Sequence, residues 1–189
     1  MKSLITIIFL FLAIGTYAQD YKGTLRLQGT GVYGFDAGIG ANESSIGANL
    51  GLEAFLADQF SLNISYTDYF DQQSNFFGVT TSTFRLRIGN LEGRYYLIDR
   101  KIKPFLLLGF SYIHEKYDGN SIFSSVRTTI SEHLGYNGGA GLSISLNKKT
   151  SLIYQTKYQV THIRKTGALP DEFPGQLVIN FGLSYKLVR

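Results

Sequence analysis

The sequence predicts an all-β chain, an eight-stranded antiparallel up-and-down transmembrane β-barrel. Three observations predict it. Apolar and polar residues alternate with a period of two in eight segments, the segments run about 10 to 14 residues, and the connections between them alternate between long and short. Strands of globular domains average about 5 or 6 residues, whereas tilted membrane spans take roughly 9 to 11.

The opening "MKSLITIIFLFLAIGTYAQD" carries Lys2, an apolar run from Leu4 to Ile14, and small residues at Thr16 and Ala18. That order reads as a secretory signal peptide over residues 1–18, leaving 19–189 as one barrel domain. The apolar run is shorter than the roughly 20 residues of a membrane helix.

The first barrel segment, "YKGTLRLQGTGVYGFD", sets Leu25, Leu27, Tyr33 and Phe35 on one face against Thr24, Arg26, Gln28 and Thr30. In the second, Ile46, Ala48, Leu50 and Leu52 oppose Gly47, Asn49, Gly51 and Glu53. The third sets Phe60, Leu62, Ile64 and Tyr66 against Ser61, Asn63, Ser65 and Thr67. The fourth, "TFRLRIGNLEGRYYLI", starts with Phe84, Leu86 and Ile88 opposite Arg85 and Arg87, and then its apolar phase moves to Leu91 and Tyr95, which suggests a β-bulge near Gly89 and Asn90.

The fifth, "KPFLLLGFSYIH", is apolar on both faces, with Pro104 tolerated only at its start. The sixth opposes Leu134, Tyr136, Ala140 and Leu142 to His133, Asn137 and Ser143, and the seventh opposes Leu152, Tyr154 and Tyr158 to Gln155, Lys157 and Gln159. The eighth, "QLVINFGLSYKLVR", carries a stripe from Leu177 to Leu187 and is expected to close the barrel against residues 21–35. Long polar connections are expected near 36–44, 71–82, 115–129 and 163–175, and short ones near 57–59, 98–102 and 147–150.

Composition narrows the function classes. The chain has no cysteine, which excludes disulfides, thiolate metal sites and cysteine nucleophiles, and its three histidines, His114, His133 and His162, are too scattered for zinc. No metal and no cofactor is called for. The formal charge of +4 includes Lys2, and no lysine or arginine run is present to track a phosphate backbone, so nucleic acid is not an expected partner. The glycines of "GYNGGAGLS" sit inside a strand pattern with no helix following, which points to close strand packing rather than a phosphate loop.

Alternation alone also fits a soluble barrel whose apolar stripe points inward. Segment length and the aromatics near the stripe ends, Tyr33, Phe35, Phe60, Tyr112 and Tyr185, favour lipid on that face. The opposite face then lines the lumen and holds Arg26, Glu53, Arg85, Arg87 and Lys157, with Glu92 and Arg94 as further members and Lys186 on the same face. An eight-stranded lumen is just wide enough for side chains to fill it, so these form a packed polar plug rather than a channel wall. Glu53 is expected to pair with Arg26, Arg85 or Arg87, and first with Arg26 of the neighbouring strand.

With these features together, the chain resembles the small eight-stranded outer-membrane β-barrel proteins of Gram-negative bacteria, the OmpA-barrel, OmpX and OmpW-like group of porin-family outer-membrane proteins. The last strand's "NFGLSYKL" resembles their terminal assembly signal, with Asn180, Gly182, Tyr185 and Leu187 in the matching places and Val188 and Arg189 following it. The resemblance implies location in the cell outer membrane and, as partners, outer-membrane lipid and lipopolysaccharide, and the barrel-assembly machinery during insertion. It also implies a monomer.

Outer-membrane lipid A deacylases have a similar barrel and place a catalytic histidine near the outer end of the seventh strand, with serine two residues later. Here His162 is followed by Ile163 and Arg164, so the nucleophile of that pattern is missing. Ser121, Ser124 and Ser125 have no base that the sequence identifies, and Phe76, Phe77, Ile122 and Phe123 are candidate loop contacts. The expected role is structural, at the surface, or in small-solute permeation, without catalysis. A lipid A-modifying enzyme and a soluble secreted ligand-binding barrel are the alternatives.

Overall fold

A sheet immersed in hydrocarbon has no water to satisfy an open edge, so it must close on itself. The computed structural model describes residues 22–36, 44–70, 72–76, 79–98, 100–121, 124–161 and 175–188. All regular structure among them is strand: β1 (Leu25–Asp36), β2 (Ser44–Phe55), β3 (Phe60–Tyr69), β4 (Gln72–Phe76), β5 (Val79–Tyr96), β6 (Ile102–Ser121), β7 (Ser124–Ser145), β8 (Thr150–Thr161) and β9 (Gly175–Val188).

Both β3 and β4 pair with β5, the first from Phe60↔Tyr95 to Asp68↔Arg87 and the second from Gln72↔Phe84 to Phe76↔Val79. They are two lengths of one stave, so the described strands make eight staves. β9 returns antiparallel to β1, from Leu25↔Val188 to Asp36↔Gln176, and closes the barrel. The tight turns after β2 and β7 are held by Leu56 N–H to Phe60 O at 3.0 Å and Leu146 N–H to Thr150 O at 3.0 Å. They lie at the end where β1 begins and β9 finishes, which in such barrels is the periplasmic end.

The alternation decides which face meets lipid. Leu108 is 73% exposed, Ile64 66% and Leu50 61%, while Glu53 and Glu92 on the opposite face are fully buried. The large apolar side chains therefore cover the outside, and the soluble reading with an apolar interior is excluded.

Two expectations need correction. The first is the bulge at Gly89 and Asn90, because β5 keeps an unbroken register with β3 through Asp68↔Arg87 and with β6 through Ser82↔Gly119. Leu86 and Ile88 turn inward in step with Asn90, Glu92, Arg94 and Tyr96, and all six are buried. Arg85 and Arg87 accordingly lie on the outer wall, with side chains 41% and 39% exposed. The physical reason is length: β5 has 18 residues, and roughly 9 to 11 already cross the bilayer. Beyond the membrane edge the outer wall meets water, and the apolar residues move inside.

The second correction concerns residues 71–82 and 115–129, both expected as loops: the first holds β4 and the start of β5, which pair from Gln72↔Phe84 to Phe76↔Val79. β6 runs to Ser121 and β7 starts at Ser124, giving strands of 20 and 22 residues that project past the membrane.

Candidate functional site: the filled lumen

The inward residues of β5 serve as a ruler along the barrel axis: Tyr96 at the periplasmic end, then Arg94, Glu92, Asn90, Ile88 and Leu86. Each marks a layer. At the bottom Tyr96 packs with Phe55, Phe105 and Leu107, with ring centroids 5.3 Å apart for Phe55 and Tyr96 and 5.2 Å for Tyr96 and Phe105. The Arg26 guanidinium lies 5.0 Å from the Phe55 centroid and that of Arg94 5.3 Å from Phe105, within cation–π range. Glycine at 141 makes room for this layer, since a Cβ there would run into the Phe105 ring.

The next layer is ionic. Glu92 accepts hydrogen bonds from Lys157 Nζ at 2.6 Å, Arg94 at 3.1 Å and Asn63 Nδ2 at 3.2 Å. Glu53 accepts from Ser61 Oγ at 2.6 Å, Gln28 Nε2 at 2.7 Å and Tyr96 OH at 2.7 Å, with an Arg94 nitrogen 3.7 Å away. Arg94 also donates to Gln28 Oε1 and Gln155 Oε1, both at 2.9 Å. Because β5 adjoins neither β1 nor β8, the bonds from Arg94 to Gln28 and Gln155, and from Lys157 to Glu92, cross the lumen itself. A carboxylate removed from water is tolerable only when paired and hydrogen-bonded, and both of these are.

Above the ions, Asn137 Nδ2 donates to Ser111 Oγ at 2.8 Å, and Ser111 donates to Asn90 Oδ1 at 2.8 Å. The top layer is apolar again: Val32, Tyr69, Leu86, Ile88, Ile113 and Val178 form one buried cluster, against which Phe84 packs. The ionic layer is thus bracketed by two apolar ones.

Of the residues the sequence assigns to the lumen, Arg26, Glu53 and Lys157 are buried inside it, as are Glu92 and Arg94. Arg85 and Arg87 are not there: on the outer wall Arg85 contacts Asp68 at 3.2 Å and Arg87 lies 3.6 Å from it. Neither reaches Glu53, whose described cation is Arg94; Arg26 stands opposite Glu53 in register, over the Phe55 ring. The sequence reading missed Tyr96, Gln28, Gln155, Ser61 and Asn63 as members of the network. Strand parity marks four of them, while Tyr96 was hidden because aromatics were counted with the lipid face.

On the last strand Asn180 points inward and is buried, while Tyr185 is exposed outward, as is Leu187. His133 and His114 each lie 3.6 Å from a glutamate, Glu115 and Glu132, on opposite faces of the β6–β7 pair. His162, with Ile163 and Arg164, lies outside the described residues, as do residues 1–21 and the loop positions Phe77, Ile122 and Phe123.

A closed antiparallel barrel with an apolar exterior and an interior filled by polar and ionic groups is an integral outer-membrane β-barrel. The chain belongs to the outer membrane protein beta-barrel domain family, whose model matches residues 7–186. Among solved structures the fold is similar to Neisserial surface protein A, with 13% identity over 86% of this chain and 97% of that one and a TM-score of 0.66. It is also similar to OprG from Pseudomonas aeruginosa, with 14% identity, 89% and 97% coverage and a TM-score of 0.61. Ail of Yersinia pestis matches at 14% identity, 88% and 99% coverage and a TM-score of 0.56. These likenesses concern the fold. A comparison with functionally curated proteins finds no match.

Proposed function

We propose that this protein is a sealed outer-membrane scaffold, non-catalytic and non-conducting, whose role is carried on its wall and its outward strands. The observation that carries this reading is the Lys157–Glu92–Arg94 bridge across the lumen between two apolar layers. Ions need a continuous polar path, and an apolar constriction dewets and blocks one. Small-solute permeation is the weaker reading for the same reason. The protein reconstituted into planar lipid bilayers is expected to show no steady conductance, and a large, stable single-channel current would refute the proposal.

Catalysis by a lipid A deacylase mechanism lacks support, because Arg164 stands where that pattern has its serine. Incubation of the purified barrel with lipid A is expected to release no ester-linked acyl chain. Release that disappears in a His162→Ala variant would establish the enzyme instead. Lipid of the outer membrane, including lipopolysaccharide, and the barrel-assembly machinery are the partners this reading implies. The outward Tyr185 and Leu187 present the last strand's proposed signal on its lipid face.

A further inference from the structure

At the periplasmic end the tight turns differ in charge. The β5–β6 turn carries Arg100 and Lys101 and the β7–β8 turn carries Lys148 and Lys149, all four exposed, whereas the β2–β3 turn carries Asp58 and no cation. Within the β7–β8 turn the Asn147 side chain accepts the backbone N–H groups of Lys149 and Thr150, both at 2.8 Å, and Leu146 N–H donates to Thr150 O at 3.0 Å, which fixes the two lysines at the tip. The β5–β6 turn is tied to the same strand, since Ser145 N–H donates to Lys101 O at 2.8 Å. Because β6 and β7 are neighbouring staves, about 4.8 Å apart, the two pairs of cations stand side by side.

None of the four makes an ion pair among the described residues. The three tight turns hold two carboxylates: Asp58, which accepts the Lys22 N–H at 3.2 Å, and Asp99, which lies outside the described residues. With both counted against them, the four cations and the exposed Lys22 keep an excess of positive charge. Their depth follows from their apolar neighbours. Lys101 directly precedes Ile102, Arg100 stands two residues before it, and Lys148 follows Leu146 by two; Ile102 and Leu146 are both exposed on the lipid face. At about 3.3 Å per residue, a cation two residues past the last lipid-facing side chain stands at most about 7 Å beyond it, and the headgroup layer of one leaflet is roughly 5–7 Å deep. Lysine and arginine stems lie along the apolar wall while their charged ends reach that layer.

We infer that these two turns bind the acidic headgroup of a phospholipid in the periplasmic-side leaflet, with Arg100, Lys101, Lys148 and Lys149 as the cations. A zwitterionic headgroup brings its own ammonium and has no net charge to offer such a cluster. A headgroup of the phosphatidylglycerol kind presents an uncompensated phosphate, and each basic side chain near an anionic surface strengthens attraction about fivefold. The short turns select the source: they end within the headgroup layer, where lipid phosphates are concentrated, and do not extend into the periplasm toward a soluble polyanion. The inference concerns the rim and does not depend on whether the lumen conducts.

The test uses folded, detergent-solubilised protein and native mass spectrometry with three probes: phosphatidylglycerol, phosphatidylethanolamine with the same acyl chains, and poly-glutamate. Wild type is expected to retain phosphatidylglycerol about tenfold better than phosphatidylethanolamine. The fourfold variant Arg100→Gln, Lys101→Gln, Lys148→Gln, Lys149→Gln should abolish that preference, and Lys148→Gln with Lys149→Gln, which removes half of the cluster, should lower it about threefold. Lys148→Arg with Lys149→Arg keeps the charge and should keep the preference, as should Lys116→Gln at the opposite end of the barrel. Each variant's fold is checked by heat-modifiable gel migration. An unchanged preference in the fourfold variant would overturn the site. Equal loss in Lys116→Gln would overturn it too, by showing diffuse charge attraction, and loss in the arginine variant would show that charge is not what binds. Displacement of the lipid by poly-glutamate at equal charge concentration would overturn the lipid assignment in favour of an acidic polymer.

Discussion

Glu92→Ala is expected to destabilise the barrel by about 3–5 kcal/mol, the usual effect of removing one partner from a buried ion pair. Glu92 is fully buried and accepts from both Lys157 and Arg94, so its loss takes from two buried cations the carboxylate they share, with Glu53 left 3.7 Å from Arg94. The change is measured as reversible folding into lipid vesicles against urea. Two companions separate charge from cavity. Glu92→Gln keeps the volume and should cost nearly as much, whereas Glu92→Gln with Lys157→Met removes both charges and should recover most of the loss. Equal stability of Glu92→Ala and wild type would mean that water reaches the network and screens it.

Leu108→Arg is expected to cost about 2–4 kcal/mol of folding free energy in lipid, since the residue is outward and central on the apolar stretch of β6. Ile130→Arg should cost no more than about 1 kcal/mol by the same measurement. Ile130 is also outward and exposed, but it pairs with Lys116, in the rows beyond the membrane edge. Matching penalties at the two sites would contradict the placement of that edge between the Gly89 and Arg87 rows.

The same edge explains how far the sequence could be read. Within the bilayer, alternation has one meaning, and it located β1, β2, β3, β8 and β9 with their faces, as the buried Arg26, Glu53 and Lys157 attest. Past the edge the meaning reverses. Leu86 and Ile88 looked like lipid-facing residues and are part of the upper lumen cluster, so Arg85 and Arg87 were drawn to the wrong face and a bulge was inferred to reconcile the phases. On β6 both faces are apolar for different reasons, Phe105 and Leu107 filling the lumen while Leu106 and Leu108 meet lipid. Period alone carries no sign there.

The ionic layer was half legible. Parity found its charged members, but hairpin adjacency gives no sign of Arg94, which approaches Glu53 to 3.7 Å from a different stave. Cross-lumen contacts depend on barrel closure and stagger, which no single strand records. The apolar layers that bracket the ions were invisible for a related reason: their residues come from β1, β2, β3, β5, β6 and β9 and meet only in the closed barrel.

The sealed lumen is tested most directly by chemical access to its middle. The chain has no cysteine, so Ser111→Cys places a single thiol of similar size in the amide layer, where Ser111 is buried between the ionic and upper apolar layers. Lys149→Cys, in the exposed periplasmic turn, serves as the reactive reference. In folded protein a membrane-impermeant thiol reagent should modify Lys149→Cys readily and leave Ser111→Cys unmodified until the barrel is unfolded. Labelling of Ser111→Cys in the folded barrel at a rate close to the reference would show an open aqueous path and contradict the sealed interior.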